Sequence, residues 1–189
     1  MKLNSSIFIN STILTNEQSL NLINLISLNQ KKLSNKTWNL LYQASRDGFS
    51  SSMFHSKCDG VLGTLTVVKS TNNNIFGGYT EADWSGYYQF KNDTNAFLFS
   101  LVNSYNTSVK MNVIQPQNAI NTYNGPTFGR GWDLYVALDN SYGYSNLGSS
   151  YEIPSFLAKY GEHSYQSQYF LAGSYSFQLV EVEVYAISF

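Results

Sequence analysis

The sequence predicts a mainly β protein with peripheral α-helices: a sandwich of two antiparallel β-sheets flanked by a few short helices. Charged residues make up only 12% of the 189 residues and aromatic residues 16%, a balance typical of strands and turns. Apolar residues alternate with a period of two in several short segments, and Gly and Asn turn signals separate these segments. The length suits a single hydrophobic core.

The clearest helix is predicted after Thr15. Thr15 and Gln18 have the spacing of a capping box, and Leu22, Leu25 and Ile26 recur at helical spacing. We interpret residues 1–30 as an N-terminal segment with one amphipathic helix that packs on the domain, and residues 31–189 as the sandwich domain. The alternative that this helix is a docking arm for a partner remains open.

Alternating apolar residues predict the strands. In the first, Trp38, Leu40 and Tyr42 share a face; in another, the alternating residues are Trp132, Leu134, Val136 and Leu138. A predicted short helix covers residues 50–57, and Asn-rich or Gly-containing turns connect the strands. Strands are predicted over residues 37–42, 63–70, 75–80, 97–102, 109–113, 132–138 and 177–186.

Several classes of protein are disfavoured by composition. The formal net charge is −1 and no Lys/Arg cluster occurs, so no nucleic-acid partner is expected. Cys58 is the single cysteine, which excludes an intramolecular disulfide. No segment has the pattern of a signal peptide or of a membrane span, so we expect a cytoplasmic location and no membrane insertion.

Few residues have the spacing of catalytic groups. His55 and Cys58 lie three residues apart with Asp59 adjacent, which resembles part of a Cys–His nucleophilic pair, although a buried, inert thiol near a turn is the favoured interpretation. Glu181 and Glu183 share a strand face; paired carboxylates occur in glycosidases, but carboxylates at an edge or solvent face also keep a strand soluble, which is what we expect here. No catalytic residue, metal ligand or cofactor site is predicted.

Turns and exposed aromatic side chains are the remaining candidates for recognition. Arg46, Asp47 and Gly48 form a predicted turn, and Lys57 and Asp59 lie near the next one. These charges are expected to form a local ion network that fixes both turns, or alternatively to meet a partner. The chain has 15 Tyr and 12 Phe, and the Tyr142–Tyr144 cluster and the Tyr87–Tyr88 pair are candidates for a contact surface, the alternative being ordinary sheet decoration.

An ordered set of short motifs resembles the TLDc family and extends over about residues 13–187. Each motif is weak alone, but their order and spacing are specific. The motifs are Trp38–Tyr42, Ser45–Phe49, Phe54–Gly60, Ile75–Tyr79, Ala96–Leu101, Pro116–Ile120, Gly125–Gly129, Asp133–Val136, Tyr144–Gly148, Phe170–Gly173 and Glu181–Val184.

The resemblance implies a two-sheet sandwich without accepted catalytic machinery. It further implies protection against oxidative damage and binding to subunits of the vacuolar proton-pumping ATPase, whose assembly several members regulate. Arg130 and Trp132 depart from the small residues and His that relatives commonly carry beside the position of Asp133, so this surface is expected to differ. Two alternatives are a thiol-based antioxidant enzyme that uses Cys58 and a glycan-binding sandwich.

Overall fold

The structure is a computed structural model that describes Phe8 and residues 10–28, 31–33 and 36–187, and within these ranges it is mainly β with a few short helices. This confirms the predicted fold class. The helices are α1 (Asn16–Ser27), α2 (Ala44–Asp47), α3 (Ser51–Cys58) and α4 (Tyr165–Phe170). The strands are β1 (Trp38–Gln43), β2 (Thr64–Ser70), β3 (Ile75–Thr80), β4 (Phe90–Lys91), β5 (Phe97–Val102), β6 (Val109–Asn112), β7 (Ile120–Asn121), β8 (Thr127–Phe128), β9 (Leu134–Ala137), β10 (Tyr142–Ser145) and β11 (Ser176–Ile187).

The strands form one network of antiparallel pairs in the order β4-β7-β8-β9-β10-β11-β2-β3-β5-β6, with β1 paired to β11. The long strand β11 joins the two halves, because its residues 176–178 pair with β10 and its residues 179–186 pair with β2. Side chains from both halves meet in one hydrophobic cluster, to which β3 contributes Phe76 and β9 contributes Leu134 and Val136.

The half that contains β2, β3 and β5 is buried on both of its faces. Leu98 on β5 belongs to the cluster shared with the other half, whereas its chain neighbours Phe97 and Phe99 belong to a second cluster. Since successive strand residues point to opposite faces, the two clusters lie on opposite sides of this half. The strand predicted over residues 97–102 is therefore confirmed, and it is buried on both faces.

Helix α1 covers the second cluster and begins with the predicted capping box. The Thr15 hydroxyl accepts from the Gln18 N–H, and the Gln18 side chain accepts from the Thr15 N–H. Leu22 and Ile26 are fully buried against the sheet. The division of the chain after residue 30, which lies outside the described residues, stays a prediction. In the described ranges, no helix has the length and apolar character needed to cross a bilayer.

Two bulges overturn the simple alternation predicted for β1 and β11. The register of β1 on β11 shifts between Leu40 and Tyr42, so Trp38 lies in the cluster under α1 while Tyr42 lies in the opposite one. The register of β11 on β2 shifts between Leu179 and Glu181, which turns Leu179 to the face opposite Glu181. An extra residue in a strand reverses the facing of all residues that follow it.

Close approach of neighbouring atoms explains the glycine pair in β3. A Cβ on Gly77 would lie 1.9 Å from the Thr66 carbonyl oxygen, and one on Gly78 would lie 2.7 Å from the Phe128 ring. Glycine therefore permits the packing of both faces of β3.

Candidate functional site

A row of outward-facing side chains crosses five neighbouring strands. Consecutive antiparallel partners are Phe90 with Asn121, Asn121 with Thr127, Thr127 with Tyr135, and Tyr135 with Tyr144. Directly paired residues on a sheet face have neighbouring side chains. The row therefore runs without interruption from β4 to β10.

The alternation of β9 explains why Tyr135 belongs to this outer row. Leu134 and Val136 are fully buried in the cluster between the two halves, so Tyr135 between them points to the other face. On β10, Gly143 provides close approach to the Phe177 ring below it, and Tyr142 and Tyr144 point outward. The core thus fixes which rings face away from it, although Tyr135 is only 4% exposed because neighbouring rings cover it.

Loop residues add further rings to the row in a parallel arrangement. Trp132 stacks on Tyr135 with ring centroids 5.1 Å apart and on Tyr144 at 5.8 Å. Tyr123 lies 6.4 Å from Tyr135 at 9° between ring planes, and Tyr88 stacks on Tyr123 at 3.9 Å. Hydrogen bonding with the Tyr123 side chain, together with burial, raises the pKa of Tyr88 to about 12. Each ring is supported by its neighbours.

Two of these bulky residues have left-handed backbone conformations. Tyr88 has φ 54° and Trp132 has φ 58°. Such angles are unfavourable for large side chains and occur where surrounding structure holds them, often at functional sites. Trp132 lies in the turn before β9 and not in the strand predicted over residues 132–138, and this turn places its indole outside, 44% exposed.

These side chains enclose a cavity of about 590 Å³, which we call the aromatic groove, and no charged residue lines it. The groove brings together the two tyrosine segments predicted as a contact surface. The sequence analysis did not identify Tyr123 and Tyr135 as candidates. The only sequence signal for either is that Tyr135 lies between two aliphatic core residues and so must face away from the core. The groove is lined by Tyr88, Phe90, Asn121, Tyr123, Thr127, Trp132, Tyr135, Tyr142 and Tyr144.

Asp133 anchors the loop that presents Trp132. Its fully buried carboxylate accepts hydrogen bonds from four backbone N–H groups of the loop after β10, at 2.9–3.3 Å, from Gly148, Ser149, Ser150 and Tyr151. Burial raises the pKa of Asp133 to about 6, and the four N–H groups oppose this shift. Asp133 is therefore a structural anchor beside the groove.

Arg130 lies at a second cavity, of about 550 Å³, together with Ser149 and His163. His163 Nδ1 lies 3.1 Å from Asn146 Oδ1, and its Nε2 lies 3.4 Å from Ser149 Oγ. Ser149, His163 and Asn146 thus resemble a nucleophile, a base and a group that orients the base. However, 3.4 Å exceeds a normal hydrogen bond to a hydroxyl, and the N–H groups of Ser149 and Ser150 already donate to Asp133. These donors are thus not available to an oxyanion.

The charges near the first turns form two separate pairs instead of the expected single network. Arg46 pairs with Asp47 at 2.6 Å, and the pKa of Asp47 is lowered mainly by the Arg46 side-chain hydrogen bond. Asp59 pairs with His55 at 2.8 Å, whereas Lys57 forms no ion pair with a described residue and acts only through its charge, which helps to lower the pKa of Asp47. The predicted turn at Arg46 is the end of α2, which Gly48 terminates with φ 101°.

Glu181 and Glu183 are buried, so the expectation of an edge or solvent face is wrong. Glu183 is 0% exposed, and its two oxygens accept from the Ser11 hydroxyl, from the Thr12 N–H and hydroxyl, and from the Tyr185 hydroxyl at 2.6–2.9 Å. Glu181 accepts from the Ser45 N–H. These carboxylates tie neighbouring segments to β11 and do not form an open acid pair.

The Cys58 thiol is in the core, separate from the His55 imidazole that pairs with Asp59. Burial, followed by the charges of Asp59 and Asp47, raises the pKa of Cys58 to about 12. A thiol with so little thiolate at neutral pH is a poor nucleophile. Among the described residues, no three His, Cys, Asp or Glu side chains form a group that could hold a metal ion.

Comparison with known proteins agrees with the motif order. Residues 7–188 match the TLDc domain. MTOR-associated protein MEAK7 of Gallus gallus is 27% identical over 128 residues, which are 68% of this chain and 22% of that protein. MEAK7 of Danio rerio is 33% identical over 64 residues, which are 34% of this chain and 14% of that protein. The chain thus spans a small part of these relatives. On the match to nearly its whole length, the chain belongs to the TLDc domain family.

Proposed function

We propose that this chain is a non-catalytic protein-binding domain that uses the aromatic groove as its contact surface. The observation that carries the proposal is the concentration of exposed, uncharged rings at one site: Tyr88 is 52% exposed and Trp132 is 44% exposed. Tyr and Trp are enriched at the centres of protein interfaces, where charged residues are depleted. The rings are also held by one another, so binding costs little side-chain entropy.

The proposed partner is the vacuolar proton-pumping ATPase, and the proposed outcome is protection against oxidative stress. Support comes from the TLDc family, several members of which bind this pump. The two relatives are named for an association with MTOR, so an MTOR complex is the second partner that the experiment below should detect. The cytoplasmic location follows from both partners and is part of the proposal.

The burial of Cys58 argues against the thiol-enzyme alternative. Its raised pKa leaves little thiolate to react with peroxide. The polar cavity at Arg130 lacks a short nucleophile–base contact, which supports the non-catalytic proposal.

The test is affinity purification of the tagged chain under native conditions, with identification of the bound proteins. The groove variant is Trp132→Gly, because glycine accepts the left-handed backbone at this position. The matched control is Tyr165→Ala, which removes an exposed ring on α4 away from the groove. We expect pump subunits with the parent chain and the control, and their loss with the groove variant.

Two results would contradict the proposal. Recovery of no pump subunits, with pump assembly and peroxide survival unchanged in cells that lack the chain, would exclude the pump as partner. Equal partner recovery with Trp132→Gly and with the parent would exclude the aromatic groove as the contact surface.

A further inference from the structure

We infer that the aromatic groove binds a proline-rich, extended segment of its protein partner, about six residues long by the spacing of strands and of the polyproline II helix. This inference rests on the proposed protein-binding function and adds the chemistry of the bound segment. It follows from the charge, the hydrogen-bonding groups and the dimensions of the groove.

The groove is complementary to an uncharged ligand. None of its nine lining residues is Asp, Glu, Lys, Arg or His. An anionic group placed among these rings would lose water without gaining a counter-charge and would meet the negative faces of the rings, which is costly. Acidic peptides, phosphorylated peptides and nucleic acids are therefore poor occupants.

The exposed polar groups of the groove are suited to carbonyl oxygens. Tyrosine hydroxyls and the Trp132 indole N–H are hydrogen-bond donors. A polyproline II segment has no internal hydrogen bonds and presents its carbonyls outward, while proline itself has no N–H to satisfy. Donor-rich aromatic grooves recognise such segments in other domains.

A glycan fits this groove less well. The tyrosine hydroxyls can accept from sugar hydroxyls, but no carboxylate lines the groove, and its single side-chain amide, that of Asn121, has a buried Oδ1. The Thr127 hydroxyl is already bonded to the carbonyls of Tyr123 and Gly125. The glycan hypothesis is therefore the alternative outcome of the experiment.

The width of the cross-strand row gives the length of the bound segment. The row from Phe90 to Tyr144 takes four steps between paired strands, and at a spacing of about 4.8 Å this spans roughly 19 Å. A polyproline II helix rises about 3.1 Å per residue, so about six residues, or two turns, cover the row.

The experiment titrates the full chain with capped octaproline and, as control, with a capped Gly-Ser octapeptide. Trp132 is the reporter because Trp38 and Trp84 are both 0% exposed, so acrylamide quenches mainly the fluorescence of Trp132. We expect octaproline to give a saturable change in emission and to protect Trp132 from acrylamide. The Gly-Ser peptide should do neither.

Variants locate the binding by calorimetry. Tyr144→Ala and Tyr88→Gly should each weaken octaproline binding at least about tenfold, as expected for central interface residues. Glycine fits the φ of 54° at Tyr88, so that variant keeps the fold. Tyr165→Ala should bind within about twofold of the parent chain, since it lies outside the groove.

Three results would overturn the inference. They are no saturable binding of octaproline, equal binding by the groove variants and the parent, and saturable binding of maltohexaose in place of octaproline. The proposed function is tested separately by purification. Partner capture that Trp132→Gly abolishes, combined with no octaproline binding, would reject the proline-rich segment and keep the protein-binding function.

Discussion

Asp133→Asn should destabilise the fold far more than Glu183→Gln, although both changes replace a buried carboxylate by its amide. All four groups that donate to Asp133 are backbone N–H groups, which cannot reverse their role. Three of the four groups that donate to Glu183 are hydroxyls, which are donors or acceptors as required. Comparing the two variants therefore separates the effect of losing the charge from the effect of losing a hydrogen-bond acceptor.

The cost follows from the atoms that change. At best, the amide oxygen introduced by Asp133→Asn keeps the bonds from Gly148, Ser149 and Tyr151, while the new NH₂ group faces the Ser150 N–H. One buried donor without a partner costs about 1–3 kcal/mol, and the remaining bonds lose their charge assistance, so the total is about 3 kcal/mol. In the Glu183 variant the Tyr185 hydroxyl can rotate to accept from the new NH₂ group and the amide oxygen keeps both Thr12 bonds. Ser11 Oγ already accepts from the Ile13 and Leu14 N–H groups, so its own hydroxyl loses its acceptor, at a cost of about 1 kcal/mol.

Thermal and urea unfolding at pH 7, followed by circular dichroism, measure both costs. For a chain of this size, about 2–4 °C of Tm per kcal/mol gives a fall of roughly 6–12 °C for Asp133→Asn and 2–4 °C for Glu183→Gln. An Asp133→Asn variant as stable as the parent, or less affected than Glu183→Gln, would refute the assignment of Asp133 as the anchor of the loop.

Three further predictions concern packing, pH and the thiol. Gly77→Ala should lower the free energy of unfolding by about 3 kcal/mol or more, because the new Cβ meets the Thr66 carbonyl oxygen. Gly60→Ala, which has free space but φ 76°, should lower it by about 1 kcal/mol. Urea unfolding that ranks the two variants in reverse would contradict the structure. Because the pKa of Asp133 is raised to about 6 in the fold, protonation of its carboxyl adds stability that is fully present below about pH 4 and is lost as the pH rises through 6, in addition to the acceptor role that operates at pH 7. The stability of the parent relative to Asp133→Asn should therefore increase from pH 7 to pH 4, and a constant difference would count against the shift. Cys58 should react with iodoacetamide at pH 7.5 at least about a hundredfold more slowly in the folded chain than in urea, and rapid labelling of the folded chain would revive the thiol-enzyme hypothesis.

The sequence predicts well the elements whose period is uninterrupted and whose turns are local. The β2–β3 hairpin forms as expected, with Asn73 at φ 61° in its turn. The prediction that Trp38 and Tyr42 share a face of β1 is wrong, because no local sequence feature indicates the bulge between them. The burial of Glu183 is equally invisible, since its donors Ser11 and Thr12 lie 172 and 171 residues away.

The aromatic groove is predictable only in part for the same physical reason. Its tyrosine segments are conspicuous in the sequence, but their meeting depends on the registers of β4, β7 and β8, each of two residues. Strands this short have no periodic signal, so tertiary packing decides their pairing. The left-handed turn at Trp132 likewise depends on the Asp133 anchor.

Because of strand β11, the fold can be completed only late in synthesis. The strand pairs with β1, β2 and β10 and is the last of the eleven to be translated. Until it has left the ribosome, β1 lacks the strand it pairs with and the two halves are not joined. The nascent chain must therefore hold exposed apolar strands until translation has passed residue 187, a period in which chaperones have their main opportunity to act.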